Sequence, residues 1–373
     1  MKLGELMAPD KKSVDPRKFP NDEFELFSIP AYDEGKPERI LGSEIGSSKQ
    51  ILQPNDVLIS RIVPHIRRAW VVPESNGLVQ IGSSEWIIFR ANDFYPEYLR
   101  HYLLSDQFNA QFMSTVAGVG GSLLRARPAF VAKLEITLPE IGEQIRISKI
   151  LDKANAIKVT QDSAFALRRR FIDSTFEDFF GPHFVDDASF IELGELVESV
   201  RVGFVGPTSK HYRDQGVHYL RTGNVGYGPL ITDGMKYISQ EFHDSQNKSK
   251  LKAGDIIISR VIGDEIKCSI IPPEFDNSNC GNVVIVTPSL EMNSIFLCHL
   301  ILSPYTQRKL LRRKVGSAQS VVNTKVMKKM LVPKVPIKLQ EKFAAIVESI
   351  TGLTDPRHLS QISFDSLIQE MLT

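Results

Sequence analysis

Two sets of arginine and amide side chains stand beside predicted strand ends, where each could hydrogen-bond to an extended polar ligand. Arginine and lysine donate to guanine or phosphate, and asparagine and glutamine bond the edge of adenine. Most such contacts go to phosphate and only position the protein. For each residue, the alternative is a surface charge or a turn-forming side chain. The candidates are Arg61, Arg67, Arg125 and Arg127 in the first half, and Arg260, Gln319, Asn323 and Lys325 in the second.

Arg61 and Arg260 occupy matching places. Each ends a segment of similar pattern, Gln53 to Arg61 and Lys252 to Arg260, in which a carboxylate precedes an apolar run that closes on Ser-Arg. The match favours a shared role. That role is either contact with a ligand or a structural pairing with Asp56 and Asp255 of the same motif.

Catalytic motifs are missing from the sequence. It has no Gly-x-Gly-x-x-Gly turn, no Gly-x-x-x-x-Gly-Lys-Ser/Thr loop and no Asn/Asp-Pro-Pro-Tyr/Phe motif of an amino methyltransferase. The histidines and cysteines show no metal-ligand spacing. Asp264-Glu265-x-Lys267 resembles a fragment of a nuclease metal site, but a turn is the better interpretation of one isolated match. The chain is therefore predicted to be neither an enzyme nor a cofactor-binding protein.

The elements that carry these residues occur twice. Leu3 to Leu6 returns as Leu193 to Leu196, and Leu138-Pro139 with its following glutamine returns as Val335-Pro336, about 190 to 200 residues further on. Repeats of roughly 20 to 50 residues indicate solenoids, so a repeat this long indicates a duplicated domain.

Composition sets the broad class. The chain has 373 residues, 42% hydrophobic and 24% charged, with a net charge of +1 and three widely spaced cysteines. It lacks a signal sequence and any apolar run of roughly 20 residues, so we expect a soluble cytoplasmic protein. Duplex binding depends on phosphate neutralisation. Residues Arg308 to Lys314 form a basic run, but the net charge of the chain is near neutral. This suggests that other subunits supply part of the phosphate contacts in any complex with DNA.

Short strands open each half, and a helix follows them, predicted over 96–115 in the first half and 294–314 in the second. A Gly-rich turn and a short strand closing on proline come next.

Residues 141–180 contain Gly142 as their single Gly or Pro, and Ile147, Ile157 and Phe171 lie on an imperfect heptad seam. Gly181-Pro182 ends this helix. A similar seam after Leu339, interrupted at Pro356, is its obvious partner. A helix of about 40 residues is roughly 60 Å long. One turn of duplex DNA is about 34–36 Å long, so such a helix could hold two DNA-binding domains more than one DNA turn apart. The alternative is a structural helical hairpin.

A family resemblance rests on three stretches. Residues 138–157, from Leu-Pro-Glu-Ile-Gly-Glu-Gln to Ala-Asn-Ala-Ile, continue to Phe176-Glu-Asp-Phe-Phe-Gly181 and resemble the central helical region of specificity subunits of type I restriction–modification systems. Val217 to Gly226 is similar to the opening of their target-recognition domains, and Gly316 to Val326 to their closing stretch. The first half departs at Gly120 to Arg127, so the halves are expected to recognise different sequences.

The resemblance implies an α+β fold with two similar, mostly β target-recognition domains joined by two long antiparallel coiled-coil helices in a pseudo-twofold arrangement. The implied domains are 1–140, a central spacer 141–182, 183–336 and a distal helix 337–373.

The implied function is non-catalytic binding of a bipartite, asymmetric DNA site, which directs adenine methylation and restriction there. The implied partners of the chain are double-stranded DNA, two methyltransferase subunits and helicase–nuclease subunits. No membrane is expected among them. S-adenosylmethionine and ATP are expected on those partners. The alternative within the same class is a different methyltransferase-based phage-defence assembly. A self-sufficient nuclease or methyltransferase, and a scaffold that does not bind DNA, are alternatives from other classes.

Overall fold

The computed structural model describes residues 1–9, 12–117, 124–185, 190–260, 263, 265–311, 322–351 and 371–372. The chain forms two compact units. Unit 1 comprises Met1–Gln161 with Leu359–Thr373, and unit 2 comprises Asp162–His358. The α+β class with two domains linked by a long helix is confirmed, whereas the predicted domain boundaries stay predictions. In the described part of the chain, no helix is long and apolar enough to cross a membrane.

Unit 1 is mostly β before the long helix. Its sheets have the orders β1-β4-β7-β2-β3, β6-β5-β8 and β10-β9. The strands are β1 Ser13–Val14, β2 Glu23–Phe27, β3 Glu38–Leu41, β4 Lys49–Ile51, β5 Val57–Ser60, β6 Ala69–Val71, β7 Val79–Gly82, β8 Trp86–Phe89, β9 Val116–Ala117 and β10 Arg125–Ala126. The helices are α1 Ile29–Asp33, α2 Pro96–Leu104, α3 Asp106–Met113 and α4 Pro128–Val131.

The long helix α5 spans Ile141–Phe180, as predicted. A residue run without proline keeps every backbone N–H available for the helical bonds, and Gly181-Pro182 then ends the helix in a short 3-10 turn. Residues up to Gln161 belong to unit 1 and the remainder to unit 2.

Unit 2 repeats the plan. Its sheets have the orders β12-β20-β17-β18-β15, β13-β16-β14-β19 and β11-β21. The strands are β11 Phe190–Glu192, β12 Val197–Val202, β13 Tyr212–Arg213, β14 Val217–Leu220, β15 Tyr227–Gly228, β16 Lys236–Ile238, β17 Ile256–Ser259, β18 Cys268–Ile270, β19 Asn279–Cys280, β20 Val283–Pro288 and β21 Leu331–Pro333. The helices are α6 Leu193–Leu196, α7 Gln240–Ser245, α8 Ser294–Leu302, α9 Pro304–Leu311, α10 Thr324–Lys328 and α11 Ile337–Thr351.

The single helix predicted after the strands of each half is wrong in detail, because a serine divides it. Ser105 is extended and its hydroxyl accepts from the N–H of Phe108 at 3.2 Å, so it caps a new helix. Ser303 does the same in unit 2, and Pro304 begins α9. Serine caps a helix because its oxygen satisfies a free N–H of the first turn. The predicted Gly-rich turns lie outside the described residues.

Phenylalanines join the end of α5 to the core of unit 2. Phe176 and Phe180 are almost fully buried, with ring centroids 5.5 and 5.4 Å from the ring of Phe343 on α11. Thr351, further along α11, lines a cavity with Phe165, earlier on α5. The two helices therefore run antiparallel within unit 2. The interruption predicted at Pro356 lies outside the described residues.

The first part of α5 is buried in unit 1 through Ile147 and Leu151, and Leu372 packs into the same cluster. In the middle of the helix, the side chains of Ile157 and Phe171 are 57% exposed, and residues 352–370, which continue the second predicted seam, lie outside the described residues. Heptad spacing identifies apolar side chains on one face but does not show that a partner covers them.

Candidate nucleic-acid interface

The two matching arginines lie at equivalent strand ends. Arg61 follows β5 and Arg260 follows β17, and each of these strands pairs with an antiparallel neighbour, β8 or β20. In the pairing register Ser60 faces Trp86, and Ser259 faces Val283. The residues that precede Trp86 and Val283 are Glu85 and Asn282, so each arginine meets a different partner.

In unit 1 this position is an ion-pair cluster. Nε of Arg61 lies 3.4 Å from Oε2 of Glu85, and Nη2 of Arg125 donates to Oε1 of the same carboxylate at 3.2 Å. The backbone N–H of Ala126 donates to the carbonyl of Arg61 at 2.8 Å, which brings Arg125 alongside. All three ionised side chains are about one quarter to one third exposed. The cluster holds two positive charges against one negative charge.

In unit 2 the residue that faces the arginine is uncharged. Nη1 of Arg260 donates to Oδ1 of Asn282 at 3.3 Å. The backbone N–H of Val322 donates to the carbonyl of Arg260 at 3.0 Å, which brings Asn323 to this edge. No described carboxylate forms an ion pair with Arg260, so its positive charge is not neutralised there.

The structural alternative for Arg61 and Arg260 is wrong in its choice of partners. Asp56 instead accepts from Nε of Arg90 at 2.6 Å, and Asp255 accepts from Nη2 of Arg201 at 2.7 Å. The aspartate stands before its strand and the arginine after it. Five residues of extended chain separate them by about 16 Å, so the side chains of one motif cannot meet.

Two other predicted residues of unit 1 take separate places. Arg67 bonds the carbonyl of Leu104 at 3.1 Å and pairs with Asp106 at the start of α3. Arg127 is exposed, and its guanidinium carbon lies 5.6 Å from the ring centroid of Phe130. The side chain of Arg67 thus caps the end of α2, whereas Arg127, the N-cap residue of α4, makes no capping hydrogen bond with its side chain.

Two of the remaining predicted residues, Asn323 and Lys325, lie at the start of α10. Asn323 caps this helix, because its Oδ1 accepts from the N–H of Val326 at 3.0 Å. Lys325 is exposed on the first turn of α10. Gln319 lies outside the described residues.

Sequence reasoning missed an open cleft of about 440 Å³ in unit 2, which is lined by Asn282, the hydrogen-bond partner of Arg260. Arg221, Thr222 and Asn282 contribute polar groups to it, and Phe204 and Tyr219 contribute aromatic walls. The segment Leu220 to Asn224 is the strand end and turn that was predicted, since β14 ends at Leu220 and a 3-10 turn spans Thr222–Asn224. The pairing of distant strands places Arg221 beside Asn282, and no local spacing signals this.

Part of the chain is similar to a known protein family. Residues 186–360 match the family model described as the type I restriction modification DNA specificity domain. This match covers a little under half of the 373 residues and lies in the second half of the chain. The type I restriction enzyme MjaVIII specificity subunit of Methanocaldococcus jannaschii is 22% identical to it over 241 residues. The match covers 60% of this chain and 56% of that protein, so the chain matches a little over half of the relative's length.

Solved structures of specificity-family proteins share the fold. The S subunit of a type I restriction–modification system from M. genitalium aligns with a TM-score of 0.58 and 14% identity, covering 100% of this chain and 95% of that chain. A chain from a study of complex assembly and conformational transition of the type I R-M system aligns with a TM-score of 0.50 and 18% identity, with the same coverage. At these low identities, the two structures show that the chain has the same α+β fold with two domains.

Proposed function

We propose that this chain is a specificity subunit, which binds a bipartite, asymmetric DNA sequence and directs adenine methylation and restriction to it without catalysing either reaction. Two modification subunits supply the methyl transfer with S-adenosylmethionine, and restriction subunits supply the ATP-dependent cleavage. Adenine methylation within a duplex requires that the base leave the stack, and this step belongs to the modification subunits. Each unit of this chain contacts one half of the site.

The duplicated strand end carries the proposal. Arg61 and Arg260 occupy the same place in two units of one design, yet Glu85 faces the first and Asn282 faces the second. A carboxylate accepts hydrogen bonds and a carboxamide both donates and accepts. The two units would therefore present different polar groups to DNA from the same place in the fold. This difference suits two different half-sites, and hence an asymmetric sequence.

A map of methylated bases tests this function. The full chain is expressed with its modification subunit in a bacterial host that lacks adenine methylation, and the genome is sequenced for modified bases. We expect one motif with methyladenine in both halves and a fixed gap between them. A host that receives the modification subunit alone is the control and should stay unmethylated.

Other outcomes would contradict the proposal in different ways. Equal methylation with and without this chain would remove its role in specificity. Co-purification of the two proteins without any new methylation, and without binding to genomic DNA fragments, would leave the chain without the proposed function.

A further inference from the structure

Three polar side chains of unit 2 converge at one edge of its sheets. β14 runs parallel to β19, with Leu220 opposite Cys280, and β17 runs antiparallel to β20, with Ser259 opposite Val283. Arg221, Arg260 and Asn282 each follow or precede one of these paired positions. Three segments distant in sequence therefore meet at the cleft beside Asn282.

Asn282 has a fixed backbone at the mouth of this cleft. Its φ of 57° is left-handed, a conformation that asparagine tolerates better than most residues. Its N–H donates to the carbonyl of Phe204 at 3.0 Å, and its carbonyl accepts from the hydroxyl of Thr222 at 3.0 Å. The side chain is exposed on this anchored backbone.

Arg260 also fixes the orientation of the Asn282 carboxamide. A guanidinium has donors and no acceptor, so the Oδ1 oxygen of Asn282 must face Nη1 of Arg260, 3.3 Å away. The Nδ2 amide then faces away from Arg260. The oxygen keeps a second lone pair, because a carbonyl oxygen can accept two hydrogen bonds. The two N–H donors of Nδ2 and one acceptor site of Oδ1 remain for a ligand.

The cleft wall is positively charged and aromatic. Nη2 of Arg221 donates to the carbonyl of Gly234 at 2.9 Å, and its guanidinium carbon lies 5.9 Å from the ring centroid of Tyr212. Gly281 allows the phenol of Tyr219 to pack closely against the backbone of the cleft, because an added Cβ would lie within 3 Å of that phenol. A negatively charged backbone can approach this wall while a base edge meets Asn282.

We infer that Asn282 reads one adenine in the major groove of the DNA half-site bound by unit 2, and that Arg260 acts as its positioning residue. The inference rests on the proposed function. An asparagine carboxamide matches adenine because it donates to N7 and accepts from the N6 amino group. The equivalent residue of unit 1, Glu85, can only accept, so unit 1 cannot read adenine in this way at this position.

The test compares motifs and affinities for four forms of the full chain, each expressed with its modification subunit: wild type, Asn282→Gly, Asn282→Asp and Asn55→Gly. Glycine keeps the left-handed backbone and removes the carboxamide. Aspartate keeps the shape and removes the donor. Asn55 is the matched control, since it is also exposed and left-handed with φ 69°, but it precedes β5 and so lies at the opposite end of that strand from Arg61.

We expect Asn282→Gly to lose the preference for adenine at one position of one half-site by about tenfold to a hundredfold, the range of one bidentate contact. Asn282→Asp should lower binding of adenine and raise that of cytosine, whose N4 amino group suits an acceptor. Asn55→Gly should keep the wild-type motif. Duplexes that differ at that one base pair give the affinities, and circular dichroism confirms that each variant is folded.

The two proposals fail in different ways. A wild-type chain that yields no motif overturns the proposed function and this inference together. A wild-type motif that both Asn282 variants reproduce with unchanged preferences overturns this inference alone. Equal loss at every position of both half-sites, with a folded protein, would assign Asn282 to a general rather than a base-specific contact and would also overturn it.

Discussion

Gln144 and Gln340 make equivalent pairs of hydrogen bonds, one in each unit. Oε1 of Gln144 accepts from the N–H of Tyr95 at 2.8 Å, and Oε1 of Gln340 accepts from the N–H of Asn293 at 2.9 Å. In both, Nε2 donates at 2.8 Å to the carbonyl five residues earlier. Each glutamine is about 1% exposed. These side chains fix the starts of α5 and α11 to the residues that precede α2 and α8.

Replacing Gln340 by leucine should destabilise unit 2. The change leaves the N–H of Asn293 and the carbonyl of Val335 buried without this partner, and each unsatisfied group costs about 1–3 kcal/mol. The free energy of unfolding, from denaturant titration followed by circular dichroism, measures the loss. Gln53→Leu is the control, because Gln53 is exposed, and it should change stability by less than about 0.5 kcal/mol. Equal effects of both changes would contradict this stabilising role of Gln340.

Asp255 predicts a second stability effect. Its buried carboxylate accepts from Arg201 at 2.7 Å, from the hydroxyl of Thr287 at 2.7 Å and from the N–H of Lys252 at 3.0 Å. Asp255→Ala leaves a half-buried guanidinium without its partner, which should cost about 3–5 kcal/mol. Thermal unfolding measures this loss. Asp214→Ala, at an exposed position, should leave the melting temperature nearly unchanged, and a similarly small effect at Asp255 would contradict the assigned role.

The frame of the molecule follows from local sequence, whereas the candidate site does not. Forty residues with Gly142 as the single helix breaker are enough to predict α5, and the repeat predicts two units. The break at Ser105 depends on a cap that a helical pattern conceals. The partners of Asp56 and the approach of Arg221 to Asn282 depend on strand pairing across long separations, which local spacing does not encode. Site contacts of this kind require the tertiary structure.

The free energy of unfolding of unit 2 should decrease at acidic pH because of the buried His299. Burial lowers the pKa of this imidazole to about 4, whereas the pKa of an exposed histidine is about 6.5. The unfolded state therefore binds more protons between these values, and the free energy of unfolding decreases as the pH falls from about 6.5 to about 4. The expected contribution is about 2–3 kcal/mol. Denaturant midpoints measured across this range test it.

A substitution isolates this histidine from its neighbours. Burial raises the pKa of Asp173, which lines the same cavity with Arg168 and Arg169, so protonation of Asp173 opposes the effect. His299→Leu removes the imidazole and leaves those groups in place. The variant should lose less stability than the wild type on acidification, while His65→Leu, at an exposed position, should follow the wild type. Parallel pH profiles for His299→Leu and the wild type would refute the prediction.

Glu85 should weaken the electrostatic contribution of unit 1 to DNA binding. Its carboxylate neutralises one of the charges of Arg61 and Arg125. Glu85→Gln keeps the size of the side chain and releases one positive charge toward phosphate. Each added phosphate contact increases the salt dependence, so the slope of log K against log salt should steepen by about 0.9. Binding to a non-specific duplex, followed by fluorescence anisotropy between low and physiological salt, gives the slope.

The control for this charge is Glu74→Gln, since Glu74 is exposed in a loop of the same unit and no described ion pair involves it. It changes the net charge by the same amount without releasing an arginine. If the effect depended on net charge alone, both variants would steepen the slope equally. A steeper slope for Glu85→Gln than for Glu74→Gln places Arg61 and Arg125 against the DNA backbone, whereas equal slopes would remove them from the interface.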